Sequence, residues 1–132
     1  MYRQFTEHAE KYLRSLGNRQ EGEDALVDQL RRMLTDLMAR GEANADAVSR
    51  HLRVSRRTLQ RRLQAEKTSF QKILNEVRAD LAVRYLSDKR LKSLEVAMLL
   101  GYSNLSSFTT AFKSWYDMPP AAYRQKFLGA GS

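Results

Sequence analysis

Between Asn44 and Glu66 the chain reads NADAVSRHLRVSRRTLQRRLQAE, a run that few folds can accommodate. Ala47, Val48, His51 and Leu52 recur at helical spacing, which predicts a short helix with these four side chains buried. Ser55 is suited to accept a hydrogen bond from a free N–H at the start of a second helix. Behind it Leu59 and Leu63, four apart, face a core, and Arg56, Arg57, Thr58, Gln60, Arg61 and Arg62 are left pointing largely outward. Two short amphipathic helices joined by a tight turn make a helix-turn-helix. An arginine can bond both major-groove acceptors of guanine and a glutamine can bond adenine. The second helix therefore has the chemistry of a rod that enters a DNA groove.

Charge placement points the same way. From Ser49 to Lys72 there are eight basic residues and one acid, net +7, whereas Met1 to Val48 carries seven bases and nine acids, net −2. The whole chain is +8, so one short block holds nearly all the excess. Such a block is an electrostatic footprint for a polyanion, although a solvated helix face gives the same count.

At 132 residues, 42% hydrophobic and 29% charged, the chain fits one globular domain or two very small ones. It has no cysteine, hence no disulfide framework and no thiol nucleophile. Its N-terminus lacks the apolar core of a signal peptide, and no apolar run approaches a membrane span. A cytoplasmic location is the expectation. Two histidines, His8 and His51, and scattered carboxylates offer neither a zinc set nor a paired general acid and base. His51 is expected to be a packed residue and His8 a surface one. No cofactor is expected.

Along the chain, Met1–Leu16 has a loose helical pattern, and residues 17–24 form a polar connector. Ala25–Arg40 reads as a strong amphipathic helix through Leu26, Val27, Leu30, Met33, Leu34, Leu37 and Met38, with Gly41 placed to end it. Phe70 to about Leu86 predicts a rod of roughly 25 Å. Ser93 is expected to cap a short helix through Leu100, Gly101 to turn the chain, and Asn104 to start a helix to about Tyr116. Pro119-Pro120 opens a last short helix with Tyr123 and Phe127. Tyr102, Phe108, Phe112, Trp115, Tyr116 and Tyr123 read as core rather than as a stacking platform for bases. Residues 128–132 are expected to be disordered. No segment has strand periodicity, so the fold class is all-α.

An internal echo organises these pieces. A shift of 48 places Val48, Leu52, Val54 and Ser55 over Val96, Leu100, Tyr102 and Ser103; one inserted residue then brings Leu59 and Leu63 over Phe108 and Phe112. Two copies of one supersecondary unit (helix-turn-helix segments 44–66 and 93–116) joined by a linker helix, 69–87, account for it.

Leu99-Leu100-Gly101-Tyr102-Ser103, Ser106-Ser107-Phe108, Ala111-Phe112-Lys113 and Met118-Pro119-Pro120 through Tyr123-Arg124 resemble the signature of AraC/XylS-type transcription regulators. The likeness runs from about Leu26 to Phe127. It implies a seven-helix DNA-binding domain over 25–127, with a recognition helix from each unit in successive major-groove segments. It places base contacts at Arg57, Gln60 and Arg61 in the first unit and at Leu105, Ser106, Ser107 and Thr110 in the second. Backbone contacts fall to Arg50, Arg53, Ser55, Arg56, Thr58, Arg62, Asn104 and Lys113. The serine pair at 106–107 can equally cap its helix.

Two departures from the family pattern carry consequences. The second unit offers no long forked donor, so the first unit is expected to carry most of the specificity. Arg53 stands at a turn where glycine is common, and its own counterpart, Gly101, keeps it. If that turn is left-handed, arginine there costs on the order of 1–2 kcal/mol, which a phosphate contact would explain.

The resemblance also implies RNA polymerase as a partner, and an effector and dimerisation domain of which residues 1–24 are the remnant or linker. A small regulator acting as a monomer is the alternative. Repair methyltransferases that carry such a domain need an acceptor cysteine, which is missing, so an enzyme is not expected. The competing function is a non-specific or RNA-binding basic module. It would favour aromatics among the charges, and none lies between Arg50 and Thr68.

Overall fold

A computed structural model describes residues 25–128. The expected helix over Met1–Leu16, the connector after it, His8 and residues 129–132 of the expected tail lie outside the described residues; Leu128, expected in that tail, is instead half-buried with its N–H bonded to the Arg124 carbonyl at 3.0 Å. Within them every regular element is helical: α1 (Ala25–Met38), α2 (Ala45–Leu52), α3 (Arg56–Ala65), α4 (Phe70–Leu86), α5 (Ser93–Leu99), α6 (Leu105–Tyr116) and α7 (Pro120–Phe127). The expected all-α class with seven core helices is what the described residues adopt. No helix among the described residues is long and apolar enough to cross a membrane. The chain divides into two compact units within α4, after Val77.

The first unit contains α1, α2, α3 and the beginning of α4. Leu30, Leu34, Leu37 and Met38 of α1 are buried, as are Ala47 and Val48 of α2, Leu59 and Leu63 of α3, and Ile73, Leu74 and Val77 of α4. Arg31 of α1 donates to Glu76 of α4 at 2.6 Å, with both side chains about 14% exposed. α1 stops at Met38, two residues before the expected end. The N–H groups of Gly41 and Glu42 take the carbonyls of Met38 and Leu37 (3.1 and 2.9 Å), and Gly41 turns left-handed at φ 72°. That closing pattern needs a residue tolerant of positive φ, which glycine is.

The second unit contains the rest of α4 with α5, α6 and α7. Its centre is an aromatic cluster in which Phe112 lies 4.8 Å from Tyr116, 5.4 Å from Tyr123 and 5.8 Å from Phe108, ring centre to ring centre. Tyr116 donates its hydroxyl to the Ala79 carbonyl of α4 at 2.8 Å, giving a buried polar tip its partner. Arg124 of α7 donates to the carbonyls of Leu86 (2.9 Å) and Leu91 (2.6 Å), and so satisfies the C-terminal end of α4 and the loop after it. Trp115, expected in the core, is only half-buried, because Phe108, Phe112 and Tyr116 already fill the inner stripe of α6.

Two local expectations need correction. His51 is exposed and Leu52 only half-buried; the inner face of α2 runs through Ala47, Val48 and Ser49 instead. By helical spacing His51 lies within that arc, between Ala47 and Val48, but in the last turn, where the helix end leaves it to solvent. Ser93 is the first residue of α5, not its cap. Lys92 holds the cap position, and the Glu95 carboxylate accepts from the Lys92 N–H at 2.9 Å. Lysine has no acceptor to offer in return, so only this half of the reciprocal cap can form.

Candidate nucleic-acid interface

The two helix-turn-helix segments close with the same backbone bonds. In the first, the N–H of Arg53 bonds the Arg50 carbonyl and that of Val54 bonds the Ser49 carbonyl, each at 3.1 Å. In the second, Gly101 bonds Met98 and Tyr102 bonds Ala97, each at 3.0 Å. Every partner is displaced by 48 residues, so the repeat legible in the sequence is also a repeat of hydrogen bonds. Both turn residues are left-handed, Arg53 at φ 59° and Gly101 at φ 89°. The turn at Arg53 therefore does not differ from its glycine-bearing counterpart, and arginine occupies the strained position.

Side-chain caps fix where each second helix starts. Ser55 Oγ accepts the Thr58 N–H at 3.0 Å and donates to Thr58 Oγ1 at 2.9 Å. Asn104 Oδ1 accepts the Ser107 N–H at 2.8 Å. The cap of α6 is thus Asn104, and the hydroxyls of Ser106 and Ser107 are left exposed.

With Leu59 and Leu63 buried, the opposite strip of α3 presents Arg57, Arg61 and Gln64. One inserted residue further on, Phe108 and Phe112 are buried and the opposite strip of α6 presents Ser106, Thr110 and Lys113. All six outward residues are exposed. Gln64 is absent from the expected set, yet the i, i+3, i+4 spacing that groups Arg57, Gln60 and Arg61 includes it. Gln60 sits beside this strip, and an open groove of about 740 Å³ runs along it, lined by Arg56, Arg57, Gln60 and Gln64 of α3 and by Phe70 and Gln71 of α4.

The remaining candidates divide by surroundings. Arg50, Arg53 and Arg62 are exposed and have no ion pair among the described residues, and the same holds for Arg57 and Arg61. Arg56 lies 3.4 Å from Asp46 of α2, but the two side chains are 67% and 62% exposed. At that exposure the pair is worth about 0–1 kcal/mol and does not hold the guanidinium away from another anion. Thr58 is half-buried with its hydroxyl committed to Ser55. Leu105, 40% exposed, occupies the position matching Arg56 and lies off the outward strip of α6.

The arginines of the second unit are spent differently. Arg78 Nε donates to the Leu100 carbonyl at 3.0 Å, and its guanidinium sits 4.6 Å from the centre of the Tyr102 ring. A Cβ at Gly101 would come within 3.3 Å of Arg78 Nη2, so both the positive φ and the limited room favour glycine there. Burial pushes the Tyr102 hydroxyl above the ordinary tyrosine range, and the nearby Arg78 charge opposes that shift. No group of three or more histidine and carboxylate residues able to hold a metal occurs among the described residues.

Comparison with known proteins places this architecture. A family model described as a helix-turn-helix domain matches residues 48–126. The chain is 35% identical over 104 residues to the ornithine utilization regulator of Pseudomonas aeruginosa, covering 78% of this chain and 30% of that protein. It is 36% identical over 88 residues to the transcriptional regulator VirS of Mycobacterium tuberculosis, covering 67% of this chain and 26% of that one. The chain thus spans less than a third of the length of these curated relatives. Among solved structures, the C-terminal domain of AraT, a response regulator from Geobacillus stearothermophilus, superposes with a TM-score of 0.67 at 28% identity, covering 76% of this chain and 84% of that domain. A DNA-binding transcriptional dual regulator from Escherichia coli has the same fold, with a TM-score of 0.70 over 76% of this chain and 96% of that one, at 24% identity. By its family match and its fold, this chain belongs to the AraC-type helix-turn-helix family, and the relatives named above are transcription regulators.

Proposed function

We propose that this chain binds double-stranded DNA in a sequence-specific way and supplies the DNA-reading part of a transcription regulator. The observation that carries the reading is the outward strip of α3. Arg57, Arg61 and Gln64 stand exposed and without ion pairs among the described residues, on a helix whose start is fixed by Ser55. Affinity comes from phosphates neutralised by Arg50, Arg53, Arg56, Arg62 and Lys113. Specificity comes from base edges met by Arg57, Gln60 and Arg61. Ser55 contributes at the backbone mainly by orienting the start of α3, since its hydroxyl proton goes to Thr58, whereas the Thr58 hydroxyl and the Asn104 amide keep donors that can meet a phosphate.

The second unit reads fewer bases. Where α3 has Arg57, Arg61 and Gln64, α6 has Ser106, Thr110 and Lys113; the two hydroxyls reach less far than arginine, and the lysine, though long, lacks a forked donor. Ser107 is a short hydroxyl beside that strip, and Leu105 is limited to an apolar touch, such as a thymine methyl. RNA polymerase is the protein partner this reading implies at a promoter.

The test is selection from a random duplex library, followed by footprinting of the recovered site with RNA as competitor. The expected result is one protected duplex segment that RNA does not displace, with stronger base preference in the half bound by the first unit. Displacement by RNA at equal mass, or a selection that yields no consensus, would refute the reading.

A further inference from the structure

Among the described residues five have left-handed backbone: Gly41, Arg53, Lys67, Gly101 and Asp117. Three of the five are glycine or aspartate, types that tolerate positive φ. The other two are long cations, and both belong to the helix-turn-helix of the basic block. Arg53 (φ 59°) ends α2. Lys67 (φ 60°) ends α3, where its N–H takes the Gln64 carbonyl at 2.9 Å and the next N–H, of Thr68, takes that of Leu63 at 3.0 Å. The helix ends of the second unit carry Gly101 and Asp117, types that enter the left-handed region more readily than a long side chain does, although α6 closes through a different bond, from the Asp117 N–H to the Lys113 carbonyl at 2.8 Å.

Resting on the DNA-binding reading above, we infer that Lys67 is a phosphate-contacting residue that acts as the partner of Arg53, one cation beyond each end of α3. The ten residues of α3 make a rod of about 15 Å, and a B-form major groove is about 12 Å wide. In a rod set across the groove, side chains just past either end come level with the two phosphate strands that wall it. Both cations are exposed, and neither has an ion pair among the described residues. A cation near a helix C-terminus also interacts favourably with the helix dipole. That benefit is open to any residue of the last turn in ordinary helical backbone, as Arg62 shows, and gives no reason to place lysine at positive φ. Strain kept at two matched positions, both cationic, is the mark of a residue held for what its side chain does.

The experiment measures the dependence of duplex affinity on salt for the wild-type chain, Lys67→Gly, Arg53→Gly, the double variant and the charge-preserving Lys67→Arg. Glycine fits both turns, so the variants fold, and circular dichroism confirms it. Each glycine variant should reduce the slope of log affinity against log salt by about 0.9, the double variant by about 1.8, and Lys67→Arg should leave it unchanged. A steep wild-type slope that Lys67→Gly does not alter overturns this inference alone. A flat wild-type slope overturns the DNA-binding reading as well.

Discussion

Arg78 ties α4 to the turn of the second helix-turn-helix, and Arg78→Met removes its guanidinium while keeping most of the packing of its stem. The variant loses the 3.0 Å bond to the Leu100 carbonyl and the charge 4.6 Å from the Tyr102 ring centre. A hydrogen bond from a charged donor to a partly buried carbonyl contributes about 1.5–3 kcal/mol, and a partly desolvated cation–π contact about 0.5–2 kcal/mol. The two share one group and are not additive, so the expected loss is about 2–4 kcal/mol. The chain's single tryptophan, Trp115, lies in α6 of the same unit, and its fluorescence during urea unfolding reports that unit's stability. A double-mutant cycle with Tyr102→Leu isolates the ring contact, with an expected coupling of about 0.5–2 kcal/mol. A loss below about 0.5 kcal/mol for Arg78→Met would refute the idea that this arginine locks the turn.

Other perturbations test other parts of the account. Ser55→Ala and Asn104→Ala each leave a helix-start N–H without its acceptor; each should cost about 1 kcal/mol in urea unfolding, and no loss from either would show the caps to be incidental. Ser49 is 4% exposed and its Oγ has no hydrogen-bond partner among the described residues, so Ser49→Ala should be neutral or stabilise by up to about 1 kcal/mol; marked destabilisation would contradict this. Burial holds the Tyr123 hydroxyl up at about 12 and the Tyr116 hydroxyl higher still. The unfolded chain releases these protons near pH 10 while the folded unit keeps them. Stability is therefore full below about pH 10 and falls as pH rises toward 12, by at most about 1.4 kcal/mol per pH unit for each tyrosine. Tyrosinate absorbance that rises near pH 10 for every tyrosine, with the helices intact, would disprove that.

The helical frame was legible because its signals are local. Apolar spacing gave α1, α3, α4 and α6, and glycine, proline and capping side chains placed their ends within two residues. The 48-residue echo was legible for the same reason, since both copies need small or apolar residues at matching inward positions. What eluded sequence reasoning depends on which arc of a short helix turns inward. α2 has only eight residues, and its pattern does not separate His51 from Ser49 as the inward side chain. The start of α5 was misplaced because Ser93 is a better cap by type than Lys92, and Glu95 satisfies the cap from inside the helix instead. Gln64 lies outside the expected set, although the helical spacing that groups Arg57, Gln60 and Arg61 contains it. Lys67 could not be singled out at all, because a left-handed lysine leaves no mark on hydrophobic pattern or composition. The same holds for Arg78, whose use in holding a turn cannot be told from a free surface arginine without knowing that Leu100 and Tyr102 come back to meet it.

The central claim is that α3 reads bases through its outward arginines, and a base-substitution scan tests it most directly. Affinities of the wild-type chain, Arg61→Ala and Arg50→Ala are measured on the selected duplex and on every single-base-pair variant of it. Arg61→Ala should cost about 1–3 kcal/mol on the selected site and abolish discrimination at one or two adjacent base pairs. Arg50→Ala should weaken all duplexes by a similar factor. A scan in which both variants weaken every duplex equally, with no base pair losing its preference, would contradict the account.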